Sequence, residues 1–264
     1  MRYHIRHLTR YTYTEPLHRV IQMLRLTPRQ EPHQQVLRWS LVTPGAKYAS
    51  TDAYGNVVHL LTVVRPDDAI EILVDGEVAL EPRALGQVAD EGKLPPLAYA
   101  APTALTRCTE PVQAFCHDAL PEGLATPEAA LRLAAAICQA VHYEPGVTDV
   151  TTPAERVLEL GHGVCQDHAH LFLACARGLG VPARYVSGYL TTESGQIASH
   201  AWVDVALPGL GWCSLDVTHQ SFTDQGHCRL AVARDYDSAA PVRGVRRGGG
   251  IETLHVEVQI QPLG

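Results

Sequence analysis

Several things are missing from this 264-residue sequence, and each absence closes a class of function. It has no run of about 18 apolar residues, so no helical membrane span is expected. The opening segment MRYHIRHLTRYTYTEP lacks the apolar stretch of a secretion signal. The seven cysteines are odd in number and contain no Cys-x-x-Cys pair. Reduced thiols in the cytoplasm are therefore the expectation, and a paired-cysteine zinc site is not. Positive charge is also short: 21 Lys and Arg against 28 Asp and Glu leave a net charge of −7. A general nucleic-acid binder, which needs basic residues against phosphates, is excluded. The small basic cluster of Arg243, Arg246 and Arg247 precedes three glycines and reads as a solvated loop. Internal repeats are absent, and Gly248 to Gly250 is the sole low-complexity tract.

What is present is an ordinary globular composition, 46% hydrophobic and 19% charged, on a chain long enough to bury a full core. The first hundred residues read as strands, with β-rich segments at Tyr3 to Tyr13, Val36 to Val42, Val57 to Val64 and Ala69 to Leu80. Asp75-Gly76, between EILV and EVAL, predicts a tight hairpin turn, and Gly55-Asn56 another turn. The Pro-rich segment KLPPLAYAAPT then places a boundary near residue 100. Helices follow. Thr126-Pro127 caps the first, Thr152-Pro153-Ala154-Glu155 has the form of a capping box, and a third runs from about Cys165 to Leu179 with Gly180 after it. From Ala183 the pattern returns to strands in ARYVSGYL, SHAWVDVAL and GWCSLDVT. ETLHVEVQIQ alternates as a closing or edge strand.

The densest chemistry lies in GVCQDHAH, residues 163 to 170. A helix advances about 100° per residue, which divides the cluster. Cys165 shares a face with the apolar Phe172 and Ala176, whereas Asp167 and His170 lie with Arg177 on the polar side. One helix cannot converge all four on one ion. His168, one turn on from Cys165, is close enough to touch it, so His162-x-x-Cys165-x-x-His168 stays open as a metal set. A cysteine in the first turn of a helix has another meaning. Unpaired N–H groups and the helix dipole favour the thiolate, and the same N–H groups can hold an oxyanion. Gly161 and Gly163 on the approach allow a tight turn and close access. A buried structural cysteine, the reading given to Cys138 and Cys175, is the alternative.

A cysteine nucleophile needs an imidazole, and the imidazole needs an orienting partner. Downstream, His200, Trp202 and Asp204 share one face of a strand, and Trp212, Ser214 and Asp216 share one face of the next. Register decides whether the two faces coincide. Pairing Leu207 with Trp212 puts His200 and Asp216 on opposite faces, while pairing Ala206 with Trp212 makes them diagonal neighbours. A catalytic pair requires the second register. His168 is the competing base.

Together GVCQDHAHLFLACARGLGVPARYVSGYL, SHAWVDV and GWCSLDVTH resemble the transglutaminase-like cysteine enzymes, in particular their bacterial branch. YHIRHLTRYTYTEPL, LRLTPR and DAYGN resemble the β domain that precedes the core in that branch, and RDYDSAAPVRGV is similar to a segment near its end. The resemblance implies a fold of the α+β class, with an N-terminal antiparallel β domain (1–100) before a papain-like core (101–264) that carries the C-terminal strand. It also implies Cys165 as nucleophile, His200 as base and Asp216 as orienting acid. His168 stands where the family usually has an aromatic ring, and Val217 where it has Pro. His168, Trp202 and Tyr189 are the candidates to line a cleft. The implied chemistry is acyl transfer on a peptide or protein carboxamide, with hydrolysis expected before cross-linking and a non-catalytic binding protein as the competing class. Neither a membrane partner nor a cofactor is expected, and no carboxylate loop suggests calcium.

Overall fold

Alternation at period two makes β1 (Arg2–Tyr13) a half-buried strand: Tyr3, Ile5, His7, Thr9 and Tyr11 point inward between exposed arginines. In the computed structural model, residues 1–65, 69–89, 94–191 and 197–263 are described. The remaining strands of this region are β2 (Leu17–Leu24), β3 (Gln34–Val42), β4 (Ala46–Thr51), β5 (Val57–Val64) and β6 (Ala69–Leu80). With one further strand each from the C-terminal end of the chain they form two four-stranded sheets, and Leu24, Leu61, Ile70, Ile72 and Val74 belong to their common core. The expected turn at Gly55-Asn56 is present, with Gly55 at φ 83° and Asp52 accepting from the Asn56 N–H.

The turn expected at Asp75-Gly76 is absent. β6 runs straight through it, because Gly76 lies between Ile5 and Trp39 on the flanking strands. A Cβ there would come within 2.2 Å of the Trp39 ring. The glycine makes room for an indole rather than for a bend.

After β7 (Gln87–Val88) the helices follow: α1 (Glu110–Ala119), α2 (Pro127–Ala140), α3 (Ala154–Leu160) and α4 (Cys165–Gly178), with the short strands β8 (His142–Tyr143) and β9 (His162–Gly163) between them. Lys93, the first residue of the expected boundary segment, lies outside the described residues. Thr126 caps α2 as expected, accepting from the Ala129 N–H. The capping box expected at Thr152 does not form: Pro153 occupies the cap position, and Thr152 is drawn into a turn around Asp149. Gly161 ends α3 in the left-handed conformation. α4 is buried from Gln166 to Arg177. Its polar side is therefore a buried one, where Arg177 donates to the carbonyl oxygens of Tyr99, Ala183 and Arg234.

The core sheet packs against α4. Its strands are β10 (Ala183–Thr191), β11 (Ile197–Leu207), β12 (Gly211–Asp216), β13 (Ser221–Phe222) and β14 (His227–Ala233), in the order β13-β12-β11-β10-β14 with β7 on β12. Ala201, Val203, Val205, Cys213 and Leu215 join the helices in one apolar cluster. Beyond the sheet come α5 (Tyr236–Ala239), β15 (Val242–Gly248) and β16 (Glu252–Leu263).

These last two strands depart from the expected division at residue 100. β15 pairs with β2, and β16 pairs with β1 from Arg2↔Leu263 to Tyr13↔Glu252, so residues 242–263 complete the two N-terminal sheets rather than the core. β6 covers one edge of β1, and the alternating C-terminal segment supplies the other. The arginines expected in a loop thus sit on a strand, solvated, with Arg243 paired to Asp237 at 2.8 Å. Among the described residues no helix is long and apolar enough to cross a membrane.

Where the core sheet meets the first sheets, charge is buried. Asp204 accepts both Nη atoms of Arg229 at 2.8 Å and Nε of Arg184 at 2.7 Å, and Arg229 also reaches Glu31. Replacing Asp204 with Ala leaves two buried guanidinium groups without this counter-charge, which costs about 3–5 kcal/mol. The urea midpoint should fall correspondingly. An unchanged midpoint would refute the assignment of this network as structural.

Candidate active site

The first turn of α4 sets the site. Gly161, at φ 68°, ends α3 and reverses the chain, and Asp167 then reaches back so that Oδ2 accepts the Val164 N–H at 2.8 Å. Thr148 donates to the same oxygen at 2.6 Å. Burial is the largest influence on this carboxyl and pushes its pKa up. Gly163 is needed here, since a Cβ would lie 2.8 Å from Asp167. These contacts present Cys165 half-buried at the floor of a cleft of about 320 Å³. Gln166, Tyr143, Tyr185, Ser187, His200 and Tyr236 are among its walls.

β11 and β12 have the register that a His200–Asp216 pair requires, with Ala206 opposite Trp212. His200 Nε2 donates to Asp216 Oδ2 at 2.8 Å, which leaves Nδ1 for the thiol of Cys165, a neighbour of His200 in the cleft lining. Burial opposes a charge on this imidazole, yet the hydrogen bonds and charges of Asp216 and Cys165 outweigh it and raise its pKa to about 10. Asp216 is fully buried. Burial would favour its neutral form, but hydrogen bonds from three histidines hold it well below the usual carboxylate range. Cys165, His200 and Asp216 thus come together at one site.

The other sequence candidates lie elsewhere. His168 is buried beside the cleft, not in it. Nε2 faces the Val141 carbonyl and Nδ1 the Thr218 hydroxyl, each at 3.0 Å. Burial lowers its pKa, so the neutral ring donates through Nε2 and accepts at Nδ1. With both nitrogens engaged it joins neither a metal set with His162 nor Cys165 as a base. His162 is turned to Glu144, 2.7 Å away. Trp202 is wholly buried, stacked near the His200 ring with Nε1 on the Ser214 hydroxyl. Tyr189 is buried against the N-terminal sheet, its hydroxyl 2.7 Å from His7 Nδ1. None of the three lines the cleft: His168 is turned from α4 toward Val141 and Thr218, and Trp202 and Tyr189 are buried in the packing of the core sheet. His170 accepts the Tyr236 N–H at 3.1 Å, and complete burial lowers its pKa to about 4.

His168→Phe removes a donor from Val141 and an acceptor from Thr218, a loss of about 1–3 kcal/mol. The melting temperature should drop while iodoacetamide still labels Cys165 at nearly the normal rate. A loss of labelling equal to that of His200→Ala would make His168 the base.

Sequence reasoning missed Tyr143, Tyr236, His219 and His227. His219 Nδ1 and His227 Nε2 both donate to Asp216 Oδ2, at 2.8 and 3.0 Å. His219 stands three residues from Asp216, a spacing that signals a local contact. His227 follows on another strand, beyond the reach of any spacing rule. Tyr236 lies inside RDYDSAAPVRGV, where the family-like pattern marked it without a role. His200, Asp216 and His219 also form the one His/Asp group among the described residues compact enough to hold an ion, although their hydrogen bonds already account for the arrangement.

The chain is similar in sequence and fold to known proteins. Residues 114–217 match the model of the transglutaminase-like superfamily core, and residues 3–79 match the bacterial transglutaminase-like N-terminal region. An uncharacterized protein of Mycobacterium leprae is 30% identical over 282 residues, covering 97% of each chain. One from Mycobacterium tuberculosis H37Rv is 29% identical and covers 92% of this chain and 87% of its own. A protein-glutamine gamma-glutamyltransferase of Pseudomonas aeruginosa is 30% identical over 152 residues, 50% of this chain and 22% of that protein. In fold, the chain is similar to a candidate cysteine protease from Cytophaga hutchinsonii (TM-score 0.79, 20% identity, 100% of this chain and 92% of that one). With matches to both characteristic regions and a relative aligned along nearly its whole length, the chain belongs to the bacterial transglutaminase-like family.

Proposed function

We propose that this protein is a cysteine-dependent acyl-transfer enzyme that hydrolyses amide or peptide bonds, with Cys165 as nucleophile, His200 as acid–base and Asp216 as its orienting acid. The observation that carries the reading is the His200–Asp216 hydrogen bond at 2.8 Å, with Cys165 beside His200 in the lining of one cleft. A histidine whose proton is retained to about pH 10 can stand as imidazolium beside sulfur at neutral pH.

The steps follow from that pairing. Sulfur attacks the carboxamide carbonyl, and the oxyanion is received by the first-turn N–H groups of α4 at Cys165 and Gln166. His200 Nδ1 gives its proton to the leaving nitrogen, and the C–N bond breaks to leave a thioester on Cys165. The neutral imidazole then takes a proton from water, whose oxygen attacks the thioester. The acid is released and the thiol restored. Asp216 stays ionised throughout and keeps the ring aligned.

A peptide or protein is the substrate class that suits an open cleft with Tyr143 and Tyr236 on its walls. Seven unpaired thiols support the expected cytoplasmic setting. The second reading replaces water by a primary amine, and the name of the Pseudomonas aeruginosa relative favours it. Incubating a library of peptides and peptide carboxamides with and without a primary amine, followed by mass spectrometry, tests both. Hydrolysed products that vanish with Cys165→Ala support hydrolysis, and amine-exchanged products support transfer. Products that persist with Cys165→Ala would refute a thiol mechanism.

A further inference from the structure

One carboxylate oxygen, Asp216 Oδ2, receives three imidazole nitrogens, although orienting His200 requires only one. The two extra histidines differ. His219 has a half-exposed side chain, at 50%, and stands beside its partner in the chain. His227 is buried, with 7% of its side chain exposed, and it is the first residue of β14. Its Nε2 is 3.0 Å from Asp216, and its Nδ1 is 3.1 Å from Asp224 Oδ1. Asp224 is in turn fixed by the Gly226 N–H at 2.7 Å, so the turn entering β14 holds the second carboxylate in place. The Trp202 ring meets His227 edge to face, 5.3 Å between centroids, and closes the remaining side. A buried ring gripped at both nitrogens and on its face has no freedom to swing.

We propose that His227, clamped by Asp224, is a positioning residue of the candidate site: it fixes the Asp216 carboxylate so that Oδ2 faces His200. The inference rests on the acyl-transfer reading for its consequence in catalysis, though not for its geometry. A carboxylate can rotate about its χ2 bond and share a proton donor with solvent. His227 removes that freedom from inside the fold, and it supplies a second donor that keeps the buried acid ionised. Burial opposes charging His227, but hydrogen bonds to Asp216 and Asp224 prevail and its pKa is raised. The hydrogen bond from His227 likewise draws the pKa of Asp224 down to about 2. Imidazole and carboxylate therefore alternate from His200 through Asp216 and His227 to Asp224, running from the cleft to the surface.

That order makes a signature a packing role lacks. The groups facing His200 are Asp216, the Cys165 sulfur, the His219 ring at 5.3 Å, the His227 ring at 6.4 Å and the nearby His168. Removing the charge of His227 while keeping a donor, as in His227→Gln, takes away a like charge and raises the His200 midpoint. His227→Ala also lets Asp216 turn away from His200, which lowers it. With a charge about 6 Å away in a medium of intermediate dielectric, the rise in His227→Gln is about one pH unit. Glutamine at 227 can still donate an N–H toward Asp216 but carries no charge, whereas alanine leaves the carboxylate free to turn.

The experiment uses the full chain with ¹⁵N-labelled histidine, titrated by NMR, and iodoacetamide labelling of Cys165 followed by peptide mapping. His227→Ala should slow labelling at neutral pH by roughly tenfold or more, the scale seen when an outer partner of a reactive group is removed. His227→Gln should restore part of that loss and raise the His200 midpoint, and the midpoint in His227→Ala should lie below that in His227→Gln. Asp224→Asn should give a smaller change in the same direction as His227→Gln. Unchanged labelling and an unchanged His200 midpoint in His227→Ala would overturn the proposal. So would equal slowing in His227→Ala and His227→Gln with the midpoint unmoved, the pattern of packing alone. Wild-type Cys165 that resists iodoacetamide would count against the acyl-transfer reading, while the NMR midpoints would still decide the role of His227.

Discussion

Asp216→Asn is expected to lower kcat/KM by about 10⁴-fold, the cost found where an orienting aspartate is neutralised with its geometry kept. The asparagine still fills the space but can present its NH₂ to His200 and favour the wrong tautomer. The same substitution reverses the electrostatics of the ring. In the wild type, burial lowers the His200 pKa and the bonds to Asp216 and Cys165 raise it, with a net value of about 10. Without the Asp216 charge, burial dominates and the midpoint should fall below the ordinary 6.5. The alkaline limb of kcat/KM should move down with it. A limb that stays in place would mean that Asp216 does not govern the imidazole. Stability follows the same linkage. His200 has a raised folded-state pKa, so its pairing contributes fully below about 6.5, the unfolded value, and is lost as pH climbs through about 10. Asp216 has a lowered one. Its share is present above the unfolded carboxylate range and is lost only as pH falls through the depressed value. These are two views of one interaction and are not additive.

Cys165→Ala and His200→Ala are each expected to reduce turnover to the background left by the oxyanion donors, a loss of roughly 10⁴-fold or more. Because sulfur and imidazole act as one unit, the double variant should lose no more than either single one. Kinetics on all three variants against one peptide carboxamide measure this directly. Multiplying effects in the double variant would mean that the two groups work independently. Cys165 is half-buried in the cleft lining, so its truncation should leave the melting temperature nearly unchanged, which separates lost chemistry from lost fold.

Much of this site was legible in the sequence, for reasons tied to local geometry. The helix angle separated Cys165 from Asp167 and His170, and α4 begins at Cys165. The alternation in SHAWVDV and GWCSLD left one register compatible with a pair, and Ala206 does face Trp212. The failures arise where sequence spacing has no purchase. Trp202 and Tyr189 look like cleft residues in isolation, but Trp202 is enclosed with Val186 and Val232, and Tyr189 is buried against the N-terminal sheets. His168 was ambiguous because Val141 and Thr218 lie 27 and 50 residues away along the chain. Gly76 was read as a turn because only the facing Trp39 reveals why a glycine stands there. β16 joined the wrong unit for a similar reason, since its partner β1 lies at the other end of the chain. Long-range pairing of this kind leaves no mark on composition or local period.

The central claim is that Cys165 carries the acyl group. Wild-type protein mixed with a cleaved peptide carboxamide, quenched in acid and mapped by mass spectrometry, should show Cys165 heavier by the acyl fragment, with one ammonia or amine released per adduct. The adduct should be absent from Cys165→Ala. Turnover without any adduct on Cys165, or an adduct on another cysteine such as Cys138, would contradict it.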